Sequence, residues 1–164
     1  MGERNAAASS RTSAVIAAPR EAIYRAFTDP AALEAWQAPE GMTARVHAFD
    51  GRAGDGYRMS LFYPASEPSG VGKSDEREDR YTARFVDLDP PARIVEAIVF
   101  DTTDPAFAGE MTMTVTLAEV ENGTEVTVAF DGLPPGIRPE DNDAGTRSSL
   151  ANLARYVTTG TSAA

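Results

Sequence analysis

Few side chains in this chain could do chemistry, and the first to weigh is Glu96. It interrupts the apolar run Ile94-Val95-Glu96-Ala97-Ile98-Val99-Phe100. Alternate residues of a strand face opposite sides. If Ile94, Ile98 and Phe100 face inward, Glu96 is a carboxyl in an apolar site, with its pKa raised by burial. If Val95, Ala97 and Val99 face inward, Glu96 is ordinary surface, and by a small margin we expect this second phase. His47, the one histidine, sits mid-strand beside Arg45 and Phe49. Nothing near it in sequence marks an orienting carboxylate, so we read it as structural or exposed rather than as a general base. Arg58 shares the ambiguity of face, being out of phase with Tyr57 and Met59. Arg52 suits hydrogen bonding within a turn better than clamping a ligand. The run from Asp75 to Arg80 reads as a solvated charge run. Trp36, the one tryptophan, is read as core before cavity wall, because its side chain buries so much area. Met59, Met111 and Met113 are core residues first, although methionine also suits an adaptable pocket wall.

Composition removes several classes of function. The formal net charge is −10, which argues against nucleic acid as the main partner and against a polybasic membrane patch. No window approaches the run of about 20 apolar residues that spans a bilayer. There is no cysteine, so thiol nucleophiles, disulfides and cysteine metal sites are excluded. One histidine rules out a histidine-rich metal site. There is no P-loop, dinucleotide fingerprint, nucleophile elbow or HExxH motif. We expect no cofactor and no metal.

The elements that must position these residues follow from periodicity. The 164 residues, 42% hydrophobic and 24% charged, suit one domain with a sizeable core. Residues 1–10 lack an apolar signal region and are expected to be a disordered leader before a domain at 11–160. Gly2 hints at myristoylation, but Ala6 stands where Ser or Thr is wanted. A cytoplasmic location is expected. Thr12 to Ala17 predicts a first strand. Pro19 starts a helix with Ala22, Ile23, Ala26 and Phe27 on its apolar face, and Asp29-Pro30 caps a second that runs to Trp36.

Strands are then predicted over Thr43–Asp50, Gly56–Tyr63, Asp79–Leu88 and Arg93–Phe100, with Asp89-Pro90-Pro91 as a breaker. Pro64–Glu78 is long for a hairpin connection, and so either mobile or functional. Met111, Met113, Val115 and Leu117 alternate with threonines. Asn122-Gly123 makes a turn, and Val126, Val128 and Phe130 return. One apolar face and one polar face predict a sheet covered on one side. The cover is the longest helix, Pro139 to Thr158, with Gly160 as its stop and Thr146, Leu150, Leu153 and Val157 on one stripe. Ser148, Asn152 and Arg155 fall on the opposite side. The fold class is therefore α+β: a curved antiparallel β-sheet wrapped around a long C-terminal helix, with two short helices after the first strand.

The residues Ile16-Ala17-Ala18-Pro19-Arg20-Glu21, Tyr24-Arg25-Ala26-Phe27-Thr28-Asp29-Pro30, Leu33 and Trp36 resemble the opening of SRPBCC (START/Bet v-like) domains. More narrowly, they resemble the branch homologous to the heat-shock-protein-90 ATPase activator. Phe49-Asp50-Gly51-Arg52 with Gly54 and Gly56 is similar to that branch's turn between its second and third strands. Arg84 to Leu88 with Pro90 to Ile94 resembles the next signature. Gly109 to Thr112 and Asn122 to Thr127 resemble the last hairpin, and Gly145, Leu150 and Leu153 the last helix. The resemblance spans about Ser13 to Tyr156 and implies the helix-grip (START-like) fold. The branch usually carries Trp after the helix glycine; here Thr146 stands there, so a bulky plug is missing.

The resemblance implies a cavity between sheet and helix, used across the superfamily for apolar ligands. The expected function is a small-molecule binding protein for a hydrophobic or lipid-like ligand, more a binder than an enzyme. Candidate lining residues are Trp36, Tyr57, Met59, Phe85, Ile98, Met113, Val115, Thr146, Leu150 and Leu153. The mouth is expected at Asn142 to Thr146. One alternative is a co-chaperone with a chaperone partner. It ranks lower because the eukaryotic activator has an additional N-terminal chaperone-binding domain. Another is a cyclase- or hydrolase-type enzyme using Glu96 or His47 as acid/base, although no catalytic residue is assigned. No nucleic acid or membrane partner is expected, and the protein is expected to be a monomer or homodimer.

Overall fold

In the computed structural model, residues 8–67 and 72–162 are described, with the side chains of 159–162 excepted. The first strand, β1 (Ala8–Ile16), begins earlier than periodicity predicts. Ala8 to Ser10 belong to the sheet rather than to a leader, and Ser10 is buried. The rest of the expected leader, 1–7, lies outside the described residues.

Two short helices follow. In α1 (Arg20–Phe27), Ile23, Ala26 and Phe27 are buried. In α2 (Pro30–Trp36), Ala32, Leu33 and Trp36 are buried. The Asp29 carboxylate caps α2 by accepting from the Ala32 amide at 3.0 Å, and Pro30 occupies a position that needs no amide donor. Asp29→Ala should therefore cost about 1 kcal/mol, measured by urea unfolding. No change in midpoint would mean that packing alone fixes the turn.

The remaining strands are β2 (Thr43–Phe49), β3 (Gly56–Phe62), β4 (Glu78–Asp89), β5 (Arg93–Phe100), β6 (Glu110–Val120) and β7 (Gly123–Leu133). They form one seven-stranded sheet in the order β1-β7-β6-β5-β4-β3-β2. Every pairing is antiparallel. The β6–β7 hairpin turns at Asn122-Gly123, where both residues have positive φ. A Cβ on Gly123 would also sit 2.2 Å from the Ile16 carbonyl oxygen, so only glycine fits. Alternation puts Met111, Met113, Val115, Leu117, Val126 and Val128 on the buried face. Thr112, Thr114 and Thr116 fall on the other. Each aliphatic group so buried contributes roughly 1.5–3 kcal/mol.

The cover is α3 (Pro139–Ser162). Its start agrees with the sequence expectation, and Leu150, Leu153 and Val157 are buried as the stripe requires. Its end does not agree: the helix passes through Gly160 instead of stopping before it. A glycine is tolerated inside a helix at a cost of about 1 kcal/mol. The far side of α3 also differs from the simple two-faced picture. Ser148 Oγ accepts from the Glu40 amide at 2.8 Å, Ser149 Oγ donates to the Gln37 carbonyl at 2.7 Å, and Asn152 Nδ2 donates to the Ala38 carbonyl at 2.7 Å. These side chains satisfy the polar backbone after α2 and fix the helix across it. At the other end, Asn142 Nδ2 donates to Ser10 Oγ and Thr12 Oγ1 to Asp143 Oδ1. The helix is thus held by polar contacts at both flanks and by aliphatic packing beneath.

Candidate functional site: a cavity under the first half of the long helix

Between the buried face of the sheet and the N-terminal half of α3 lies a cavity of about 450 Å3. Thr146 and Leu150 line it from above, with Gly145, Asn142 and Ser149 beside them. This half of α3 is poor in large side chains, so the helix and sheet do not close there. Thr146 Oγ1 turns back to the Asn142 carbonyl at 2.8 Å, which satisfies its hydroxyl within the helix.

Of the ten candidate lining residues, Trp36, Tyr57, Ile98, Met113, Thr146 and Leu150 lie on the cavity wall. Met59, Phe85, Val115 and Leu153 do not; each is 0% exposed in the packed core. They share the inward face but sit where neighbouring side chains fill the space. Phe85, for example, is boxed by Phe49 and Tyr57, with ring centroids 6.1 and 5.7 Å away. Trp36 is both core and wall. Its Nε1 donates to the Ala26 carbonyl at 2.9 Å, and its ring meets Phe27 edge-on at 4.8 Å.

Glu96 is where the structure corrects the sequence reading. It faces inward, is 0% exposed and lines the cavity. The Tyr57 hydroxyl donates to Glu96 Oε1 at 2.8 Å, while Oε2 is buried without a partner among the described residues. Burial pushes the Glu96 pKa up to about 7, and the Tyr57 hydrogen bond offsets only part of this. Burial, with the Glu96 carboxyl beside them, likewise pushes the Tyr57 and Tyr81 phenols well up. A carboxyl half-protonated near neutral pH can hold or release a proton, and it can donate or accept a hydrogen bond at Oε2. Tyr57 reaches it from two strands away: it pairs with Ala83, and Ala83 pairs with Ile98. That diagonal contact has no trace in local sequence.

A second polar group closes one side of the cavity. Asp79, 4% exposed, sits on the inward face of β4. Its carboxylate accepts from the Lys73 amide at 2.7 Å, Lys73 Nζ at 2.9 Å and the Tyr63 hydroxyl at 2.8 Å. Lys73 Nζ also lies 5.5 Å from the centre of the Phe100 ring and 5.9 Å from that of Phe107. The charge run is therefore not wholly solvated, and its phase with Tyr81, Ala83 and Phe85 could have located Asp79. The long connection folds back so that Lys73 reaches the cavity edge; 68–71 within it lie outside the described residues.

His47 is exposed at a β-bulge between Val46 and Ala48. Its Nε2 meets Ser60 Oγ at 2.8 Å, and Ser60 donates onward to Glu78. Here serine bridges histidine and carboxylate, so histidine is not held between a nucleophile and an acid as an acyl-transfer triad needs. The relay also lies on the sheet face away from the cavity. Arg52 bonds Asp50 within its own turn, as expected. Among the described residues no three His, Asp or Glu side chains come together as a metal site. No described helix is long and apolar enough to cross a membrane.

The family model for "Activator of Hsp90 ATPase homolog 1-like protein" matches residues 17–158. A crystal structure of a protein from Chromobacterium violaceum is 34% identical, with a TM-score of 0.80 over 91% of this chain and 96% of that one. The solution structure of an AHSA1-like protein from Aeromonas hydrophila is 21% identical, with a TM-score of 0.69 over 93% of this chain and 94% of that one. A crystal structure of a protein from Nitrosomonas europaea, 18% identical, has a TM-score of 0.69 over 93% of this chain and 95% of that one. The last two likenesses show the fold alone. No curated protein matches the chain. The family match over most of the chain, the Chromobacterium relative and the helix-grip architecture agree: this chain belongs to the Activator of Hsp90 ATPase homolog 1-like family.

Proposed function

We propose that the protein binds a hydrophobic small molecule in the cavity between the sheet and α3. The observation that carries this reading is a cavity of about 450 Å3 whose wall is mostly apolar and aromatic, with polar groups confined to a few places. Such a lining holds a ligand by shape and burial, and the few polar groups orient it. Thr146 sets the free space, because a large side chain there would project into it.

The test is native mass spectrometry with fatty acids, aromatic polyketides and flavonoids, on the wild type and on Thr146→Trp. The variant is expected to fold and to lose at least tenfold in affinity for whatever the wild type retains. An empty wild-type spectrum across the panel, or binding unchanged by the tryptophan, would refute this reading.

The family match supports a second reading, a chaperone partner. It predicts a higher ATPase rate when the protein is added to a cognate heat-shock-protein 90. An unchanged rate removes it.

A further inference from the structure

The cavity combines three features that together select a ligand class. First, Glu96 Oε2 is an open acceptor on a fully buried carboxyl that lines the cavity, while Oε1 is already taken by Tyr57. A buried polar atom without a partner is costly, and a ligand that supplies the missing hydrogen bond recovers that cost. Second, the described lining carries excess negative charge. Its acids are Glu96, Asp79 and Asp141; its one lysine or arginine is Lys73, which is spent on Asp79 at 2.9 Å. A bound carboxylate would find no free cation among these residues and would face Glu96. Third, the rings of Trp36, Tyr57 and Tyr81 stand on the same wall. Aromatic faces attract a cation, more strongly when water is excluded.

We propose that the cavity recognises a hydrophobic amine, whose protonated nitrogen donates to Glu96 Oε2 while its hydrocarbon part lies along the apolar wall beneath α3. The inference rests on the cavity-binding reading above and narrows it. The number of open acceptors narrows it further. A primary ammonium brings three N–H groups to a buried carboxyl with one free oxygen. A tertiary ammonium brings one, which Oε2 satisfies, and it buries no unpaired donor. The net charge of −10 also favours the approach of a cation over that of an anion.

The experiment compares three probes of matched chain length: N,N-dimethyldecylamine, decanol and decanoate. Binding is measured by calorimetry below their micelle concentrations at pH 7.5, on the wild type, Glu96→Gln, Glu96→Leu and Thr146→Trp. The amine is expected to bind the wild type at least tenfold more tightly than decanol, with decanoate weakest. Both Glu96 variants should bring the amine to within threefold of decanol, because the amine loses more affinity than decanol does. Thr146→Trp should weaken the amine and decanol alike. Far-UV circular dichroism establishes that each variant is folded, and the two different replacements at Glu96 guard against a failure peculiar to one. If decanol or decanoate equals the amine, or if the amine ignores both Glu96 variants, the amine inference is overturned and cavity binding stands. If no probe binds, or Thr146→Trp changes nothing, the cavity reading falls with it.

Discussion

Replacing Glu96 by glutamine will stabilise the protein at pH 8.5 by about 3 kcal/mol, and the gain will fade as the pH is lowered toward 4.5. The carboxyl titrates at about 7 in the folded protein against an ordinary value of 4.5, because burial opposes its charged form. Below pH 4.5 the carboxyl is neutral in both states, and glutamine is a close mimic. Between 4.5 and 7 the unfolded chain releases its proton while the folded chain keeps it. The unfolded state then binds fewer protons, so wild-type stability falls as the pH rises. Above 7 both states are ionised and the loss is complete. Each pH unit of that gap is worth about 1.4 kcal/mol.

Glutamine removes this penalty, because its carbonyl can still accept from Tyr57 and it carries no charge. Urea unfolding of both proteins from pH 5.0 to 8.5 should show a difference that grows by at least about 2 kcal/mol. A constant difference would mean that the carboxyl keeps its ordinary acidity in the folded protein. The same charge that destabilises the empty site is what a bound ammonium would neutralise, so stability and recognition are opposed at this residue.

Local chemistry made most of the fold legible. Proline at the first turn and the acids behind it placed the start of α3 at Pro139. The glycine–asparagine turn chemistry and period-two alternation placed the β6–β7 hairpin. The end of α3 was not legible, because a glycine can also lie inside a helix at a cost of about 1 kcal/mol, so Gly160 alone does not mark a stop. The phase of β5 was not legible either. Both of its faces are apolar apart from Glu96 and the terminal Arg93, and the cost of burying an acid tips a sequence-based reading toward the surface. What reverses this is Tyr57, two strands away in a register that only the assembled sheet supplies. Asp79 was hidden differently: its charged neighbours, Glu78 and Arg80, face outward and bond Ser60 and Asp101, so composition masked an alternation that was present. Lining residues split from core residues for a reason no strand pattern holds. The inward face is one surface, and only the small side chains in the first half of α3 decide which part of it stays open.

The second large effect is expected at Asp79. Asp79→Ala removes the acceptor of three donors at once, two from Lys73 and one from Tyr63. Breaking a mostly buried ion pair by deleting one partner leaves the other charge uncompensated. Lys73 keeps some exposure, 20% of its side chain, so we expect a loss of about 2–3 kcal/mol rather than the full cost for a buried pair. Lys73→Met should cost less, because Asp79 would retain the Lys73 backbone amide and the Tyr63 hydroxyl. Urea unfolding measures both, and equal losses would mean that the ion pair alone, not the three-donor acceptor, holds the connection.

Limited trypsin digestion gives a local readout. Cleavage after Lys73 and Arg77 should accelerate in Asp79→Ala before global unfolding does, since the segment loses its anchor to β4. The substitution also inverts the electrostatics of the cavity edge. Lys73, no longer matched by Asp79, becomes the one unneutralised cation of the described lining. The preference for a protonated amine over decanoate should therefore narrow in Asp79→Ala even though Glu96 is untouched. If the preference stays at its wild-type size, the lining's charge balance has no part in selection, and the contact at Glu96 must account for it alone.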